Sequence, residues 1–223
     1  MAKKQSIKED QQELETRENK QKEIIVDSTM KELNKKYGEG TIMRLGDHGG
    51  AQDVKKFSSG IASLDFALGG GWPFGRQIEI YGPEASGKTS VTLFAIAVLQ
   101  RMGYKVAFLD LENALDPMLA EMYGVDTDAL YLGYPVSGEA AFATIEGLAT
   151  TGQFAAIVVD SVSAILPNAE RESDMGASLP AIQARLMSQC LRRLVGTCGS
   201  TGTSVFYINQ IREKVGQLYG RVA

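Results

Sequence analysis

Lys88 and Thr89 close the run Gly82-Pro83-Glu84-Ala85-Ser86-Gly87-Lys88-Thr89, with glycines at its first and sixth positions. An apolar run, Gln77-Ile78-Glu79-Ile80-Tyr81, precedes it, and a helix-like run from Ser90 to Ala97 follows. A strand–loop–helix unit of this kind wraps backbone N–H groups around an anion and adds the positive end of a helix dipole. In it Lys88 reaches the β- and γ-phosphates of a nucleotide, and the Thr89 hydroxyl binds Mg²⁺. Gly82 and Gly87 let the backbone turn and approach the phosphates without a Cβ in the way.

Three more groups sit where an open α/β sheet puts its ligands, at or beyond the carboxyl ends of expected strands. Asp160 ends Ile157-Val158-Val159, where an acid can hold the water shell of Mg²⁺. Glu112 follows Phe108-Leu109-Asp110-Leu111 and is placed to orient an attacking water, a role for which Asp110 competes. Gln210 ends Phe206-Tyr207-Ile208-Asn209, where an amide can register a γ-phosphate; Asn209 serves as well on sequence alone.

The elements that must carry these groups alternate. Apolar runs at 105–109, 129–132, 155–159 and 204–208 join the one at 77–81, with helix-like stretches at 90–102, 115–123, 138–150 and 182–195. That alternation indicates an α/β fold with a mostly parallel sheet flanked by helices. Residues 1–23 hold six basic and six acidic residues without glycine, proline or aromatics, a charged flexible tail or an exposed helix. From Ile24 the positions Ile24, Ile25, Met30, Leu33 and Tyr37 recur at helical spacing, with Gly38 as a stop. This apolar stripe must bury itself against its own domain or a neighbouring subunit. Residues 24–50 are thus a helix and linker, and 51–223 the nucleotide-binding core.

The chain has 223 residues and a net charge of −4, which argues against a uniformly basic polyanion binder. Charge is nonetheless segregated. From Ala181 to Ala223 six basic residues face one acid, a net +5, and the remainder carries −9. A basic segment on an acidic body suits a polyanionic partner. Cys190 and Cys198, eight apart with a single histidine at His48, match no zinc spacing. A charged N-terminus without an apolar stretch, and no run near the ~20 apolar residues of a membrane span, point to the cytoplasm.

Beyond the phosphate loop, further stretches resemble the RecA family of DNA-strand-exchange ATPases. These are residues 36–46, Ala114-Leu115-Asp116-Pro117, Val158-Val159-Asp160-Ser161 and Ile208-Asn209-Gln210-Ile211-Arg212. The resemblance implies a DNA-dependent ATPase that uses ATP and Mg²⁺, with Glu112 activating water, Asp160 serving Mg²⁺ and Gln210 sensing the γ-phosphate. It implies that Asp116 contacts adenine and that loops at about 172–180 and from Ile211 onward face DNA. Arg185, Arg192, Arg212 and Lys214 fall where the family has DNA-contacting or adjacent basic residues, and Val215 would wedge between bases. Its partners would be single-stranded DNA, homologous double-stranded DNA, further copies in a helical filament docked through the first helix, and an SOS-type repressor.

Departures accompany the likeness. Leu119 stands where the family usually has a tyrosine on adenine, Asn113 replaces a histidine, and Glu213 puts an acid in a DNA loop. The family also continues past position 223 with further core strands and a small C-terminal domain, so the resemblance implies an incomplete core with an unpaired sheet edge. Two other readings stand beside the recombinase: a non-catalytic module that binds nucleotide or poisons filaments, and another ATPase of the same fold.

Overall fold

Glycine at position 71 is the tightest joint in the core. With φ at +108°, a Cβ there would lie 2.1 Å from the Phe57 carbonyl oxygen. That close approach lets two short strands, β1 (Lys56–Phe57) and β2 (Trp72–Pro73), pair antiparallel. Their aromatics then reach the main sheet, where Phe57 and Trp72 both meet the Phe206 ring edge-on. Neither two-residue strand has enough length to show a period in sequence.

The computed structural model describes residues 2–44, 46, 54–171 and 180–210. Its main sheet contains β3 (Gln77–Gly82), β4 (Lys105–Asp110), β5 (Tyr131–Gly133), β6 (Phe154–Asp160) and β7 (Ser204–Gln210). The order is β3-β7-β6-β4-β5, and every pair is parallel. The expected parallel α/β fold is therefore present. Interior strands β4, β6 and β7 are almost wholly buried, while β3 at one edge is half exposed. Among the described residues β3 pairs with β7 alone.

Alternation sorts the core into two layers, because successive strand residues face opposite sides. Val106, Phe108, Val158, Phe206 and Ile208 pack beneath a helix that begins at the phosphate loop. Ala107, Leu109, Ile157, Val159, Val205 and Tyr207 pack beneath two others. The helices are α1 (Ala2–Tyr37), α2 (Ala62–Ala67), α3 (Lys88–Arg101), α4 (Pro117–Met122), α5 (Gly138–Thr150), α6 (Asn168–Arg171) and α7 (Pro180–Thr201). Leu93, Ile96 and Leu99 of α3 fill the first layer; Phe142 and Ile145 of α5 and Leu194 and Cys198 of α7 fill the second. Burial pushes both cysteine thiols up, so the thiolate needed for a ligand or nucleophile is disfavoured.

The molecule divides into two compact units, Met1–Val54 and Lys55–Ala223. In the first, α1 runs without a break through the composition change at Glu23 and Ile24. Gly38 follows its last residue at φ +109°, and the Asn34 side chain brackets Ile42 with two 3.0 Å hydrogen bonds. Ile24 and Ile25 are exposed. His48, residues 172–179 and everything from Ile211 lie outside the described residues, and with them Arg212, Lys214 and Val215.

Candidate nucleotide-binding site

Register brings the candidate groups level. Gly82 at the end of β3 is opposite Gln210 of β7; Asp160 of β6 is opposite Ile208 on one side and Asp110 of β4 on the other. Four carboxyl ends therefore open into one cleft of about 320 Å³. Its lining includes the loop from Glu84 to Ser90, with Glu112, Asp160 and Gln210.

The loop turns in left-handed backbone at two places. Gly87, the N-cap of α3, has φ +85°, and Ala85 has φ +55°. For Ala85 this conformation costs about 1–2 kcal/mol, held by the surrounding loop. Helix α3 begins at Lys88, two residues before the helical pattern in sequence, so Lys88 and Thr89 lie in its first turn. The Lys88 Nζ donates to the carbonyls of Gly82 at 3.1 Å and Pro83 at 2.7 Å, which keeps its charge over the loop. The N-terminal N–H groups of α3 and the lysine together make an anion-binding concavity.

Across the cleft Thr89 Oγ1 donates to Asp160 Oδ2 at 2.7 Å. Burial raises the Asp160 pKa above the usual carboxylate value, opposed by the Thr89 hydrogen bond; nearby Glu112 and Asp110 add to the rise, and Lys88 opposes it. Two hard oxygens in a site with surplus negative charge suit Mg²⁺, which takes one or two protein oxygens and completes its shell with phosphates and water. Among the described residues no cluster of three or more His, Cys, Asp or Glu forms a metal cage. The donor set fits an ion carried in with a nucleotide.

The two ties that sequence left open are separated by side-chain direction. Asp110 is buried, and its carboxylate accepts from the Ala114 and Leu115 N–H groups at 3.2 and 3.0 Å. Glu112 lines the cleft instead. Asn209 Nδ2 turns toward β3 and donates to Glu79 Oε1 at 2.9 Å, whereas Gln210 Nε2 faces Glu112 at 3.4–3.5 Å. Asn113 follows Glu112 at φ +52°, a conformation asparagine tolerates better than most residues.

Ser161, without a role of its own in the sequence reading, and Ser163, absent from it, complete the arrangement. Ser161 donates to Glu112 Oε1, and its Oγ lies 2.5 Å from that of Ser163. The signals in sequence were the place of Ser161 directly after the strand-end acid, within a family-like stretch, and for Ser163 nothing beyond its nearness.

Asp116 caps α4, its Oδ1 accepting from the Met118 N–H at 2.9 Å, and it does not line the phosphate cleft. Asp116→Ala is expected to cost about 1 kcal/mol of stability, read from the denaturant midpoint. Asp116→Asn keeps a capping oxygen and so should keep that stability. A loss of adenine-nucleotide affinity in the asparagine variant would then report on contact with the base.

Arg185 and Arg192 occupy exposed positions seven apart on α7. Arg193 points to α5, where its guanidinium pairs with Glu146 at 2.7 Å, so one charge of the basic segment is neutralised locally. A larger groove of about 670 Å³ lies between these helices, rimmed by Glu139, Glu146, Arg192 and Arg193. Its mixed charges and lack of a phosphate loop make the smaller cleft the chemical site.

The family model for the RecA N-terminal domain matches residues 24–222. The chain belongs to the RecA family. It is 48% identical over 203 residues to the RecA protein of Trichodesmium erythraeum, covering 91% of this chain and 56% of that protein. With the RecA protein of Enterococcus faecalis it shares 48% identity over 200 residues, 89% of this chain and 57% of the relative. The RecA protein of Dichelobacter nodosus gives 47% over 203 residues, 91% and 58%. The chain thus spans little more than half the length of these curated relatives.

Proposed function

We propose that this chain is the nucleotide-binding part of a DNA-dependent ATPase that forms filaments on single-stranded DNA and promotes homologous pairing and strand exchange in repair. The observation that carries the reading is the junction of Gln210 and Glu112. The strand that ends at Gln210 follows directly from α7, the helix that bears Arg185 and Arg192. A change at the phosphate cleft is therefore one strand away from the helix that carries these two arginines.

In this reading Lys88 and the N–H groups of the loop hold the phosphates of ATP. Thr89 and Asp160 would hold Mg²⁺, which would supply positive charge against that of the phosphates. Glu112 orients the attacking water and takes its proton. The Gln210 amide turns to the γ-phosphate, and Arg212, Lys214 and Val215 contact DNA while ATP is bound. Hydrolysis releases the DNA. Asp116 contributes to the adenine site, and Arg185 and Arg192 to the DNA face. The first helix docks on a neighbouring protomer, and homologous double-stranded DNA and an SOS-type repressor are partners of the assembled filament in the cytoplasm.

The test is DNA binding and ATP turnover measured together. Single-stranded DNA should be bound with ATP and released with ADP. Glu112→Gln should lower turnover about 100-fold or more while ATP-dependent DNA binding persists. DNA binding indifferent to nucleotide would overturn the reading.

A further inference from the structure

We propose that Ser161, oriented by Ser163, is a positioning residue that fixes the Glu112 carboxylate and leaves Oε2 as the oxygen that accepts the proton of the attacking water. The proposal rests on the ATPase reading and deepens it.

A serine hydroxyl has one proton to give. Ser161 Oγ gives its proton to Glu112 Oε1, so the 2.5 Å contact with Ser163 requires Ser163 to be the donor there. The direction is thus set: Ser163 to Ser161 to Glu112. Ser161 is fully buried, and Ser163 is exposed. The tight turn at Val162–Ala164 after β6 makes the contact possible by folding the chain back, with the Ala164 N–H bonded to the Ser161 carbonyl at 3.1 Å.

Occupancy then divides the carboxylate. Oε1 carries the Ser161 bond, and Gln210 Nε2 approaches it at 3.4 Å. Among the described residues Oε2 has only the Gln210 amide at 3.5 Å, a marginal contact that a turn of the amide toward a phosphate would break. Its lone pairs are the ones available. As the water oxygen bonds to the γ-phosphorus, its O–H bond breaks and the proton passes to Oε2. The bond from phosphorus to the bridging oxygen breaks, and ADP leaves with that electron pair. A carboxylate held in one rotamer does this without a reorganisation cost at the moment of reaction.

The test compares Ser161→Ala, Ser163→Ala and Ser163→Thr with the unsubstituted chain. Two quantities are read: kcat against KM for ATP, and affinity for ADP–aluminium fluoride against ADP alone, both with magnesium. Ser161→Ala should lower kcat and affinity for the fluoride complex by roughly 10- to 100-fold with KM and ADP affinity nearly unchanged. Ser163→Ala should give a smaller loss of the same kind, and Ser163→Thr, which keeps the hydroxyl at an exposed position, should restore it. That pair keeps the test in force if the buried Ser161 variant fails to fold. Equal affinity of Ser161→Ala and the parent for the fluoride complex overturns the proposal, as does identical behaviour of Ser163→Ala and Ser163→Thr. A parent chain that binds neither ADP nor the complex removes the ATPase reading itself, and this proposal with it.

Discussion

Lys88→Ala is expected to lower ATP affinity by about 100-fold, the loss of a charge-assisted interaction worth roughly 3 kcal/mol. The cleft shows why the effect is large. Glu112 and Asp160 face the loop, with Asp110 behind them, and Lys88 is the cation that opposes them. Without it, a triphosphate enters a pocket whose side-chain charge is negative. Stability should change little, because among the described residues the Nζ bonds only to two loop carbonyls and the side chain is half exposed. Lys88→Arg should not restore binding, since a planar guanidinium does not reproduce a compact ammonium seated over the Gly82 and Pro83 oxygens. Fluorescent-nucleotide titration checks affinity, and the thermal midpoint checks folding. Affinity for ATP within about threefold of the parent, a difference under 1 kcal/mol, would remove Lys88 from the site.

Much of this arrangement was legible because each level of the sequence agreed with the next. Val106 to Leu109 and Ile157 to Val159 are continuous apolar runs, and both became interior strands covered on two faces. Once those strands were placed, Asp160 and Gln210 had to lie at carboxyl ends beside the phosphate loop. Composition does not encode side-chain direction at strand ends. Asp110 and Glu112 sit two apart with an irregular step between them, and only the loop N–H groups of Ala114 and Leu115 show which carboxylate is already engaged. Asn209 and Gln210 are adjacent in a strand, so they face opposite sides, and the pairing with Glu79 decides which amide faces the cleft.

Other features were hidden for reasons of length and locality. Strands β1 and β2 have two residues each, too few for a period, and exist because Gly71 lets backbone meet backbone. The capping role of Asp116 is local and readable, since an aspartate before Pro117 is a helix-start pattern. Ser161 belongs to a family-like stretch and Ser163 to none, but the stretch does not show what Ser161 touches; its bond to Glu112 spans 49 residues and appears only when β4 and β6 lie side by side.

Asp160→Asn should pull stability and function in opposite directions. In the folded chain burial raises the Asp160 pKa, with Glu112 and Asp110 adding to the rise against Thr89 and Lys88. The folded state therefore holds its proton more tightly than the unfolded state does. By linkage, ionised Asp160 costs stability at pH values above its raised folded pKa, and the cost disappears as pH falls to the ordinary carboxylate range. Asparagine removes the charge, so the variant without ligand should melt higher than the parent at neutral pH, and the gap should close on acidification. Thr89 Oγ1 can still donate to the amide oxygen, which preserves the local bond. Function moves the other way, because Mg²⁺ prefers an anionic oxygen and the variant offers none on β6. Its ATP affinity should be the same with magnesium as with a chelator, whereas the parent should gain at least about tenfold, roughly 1.4 kcal/mol. Calorimetric titration with and without magnesium checks the second statement, and melting curves across pH check the first. A variant that still gains affinity from magnesium would assign the ion to other oxygens, and one that melts lower at neutral pH would mean that Asp160 supports the fold rather than straining it.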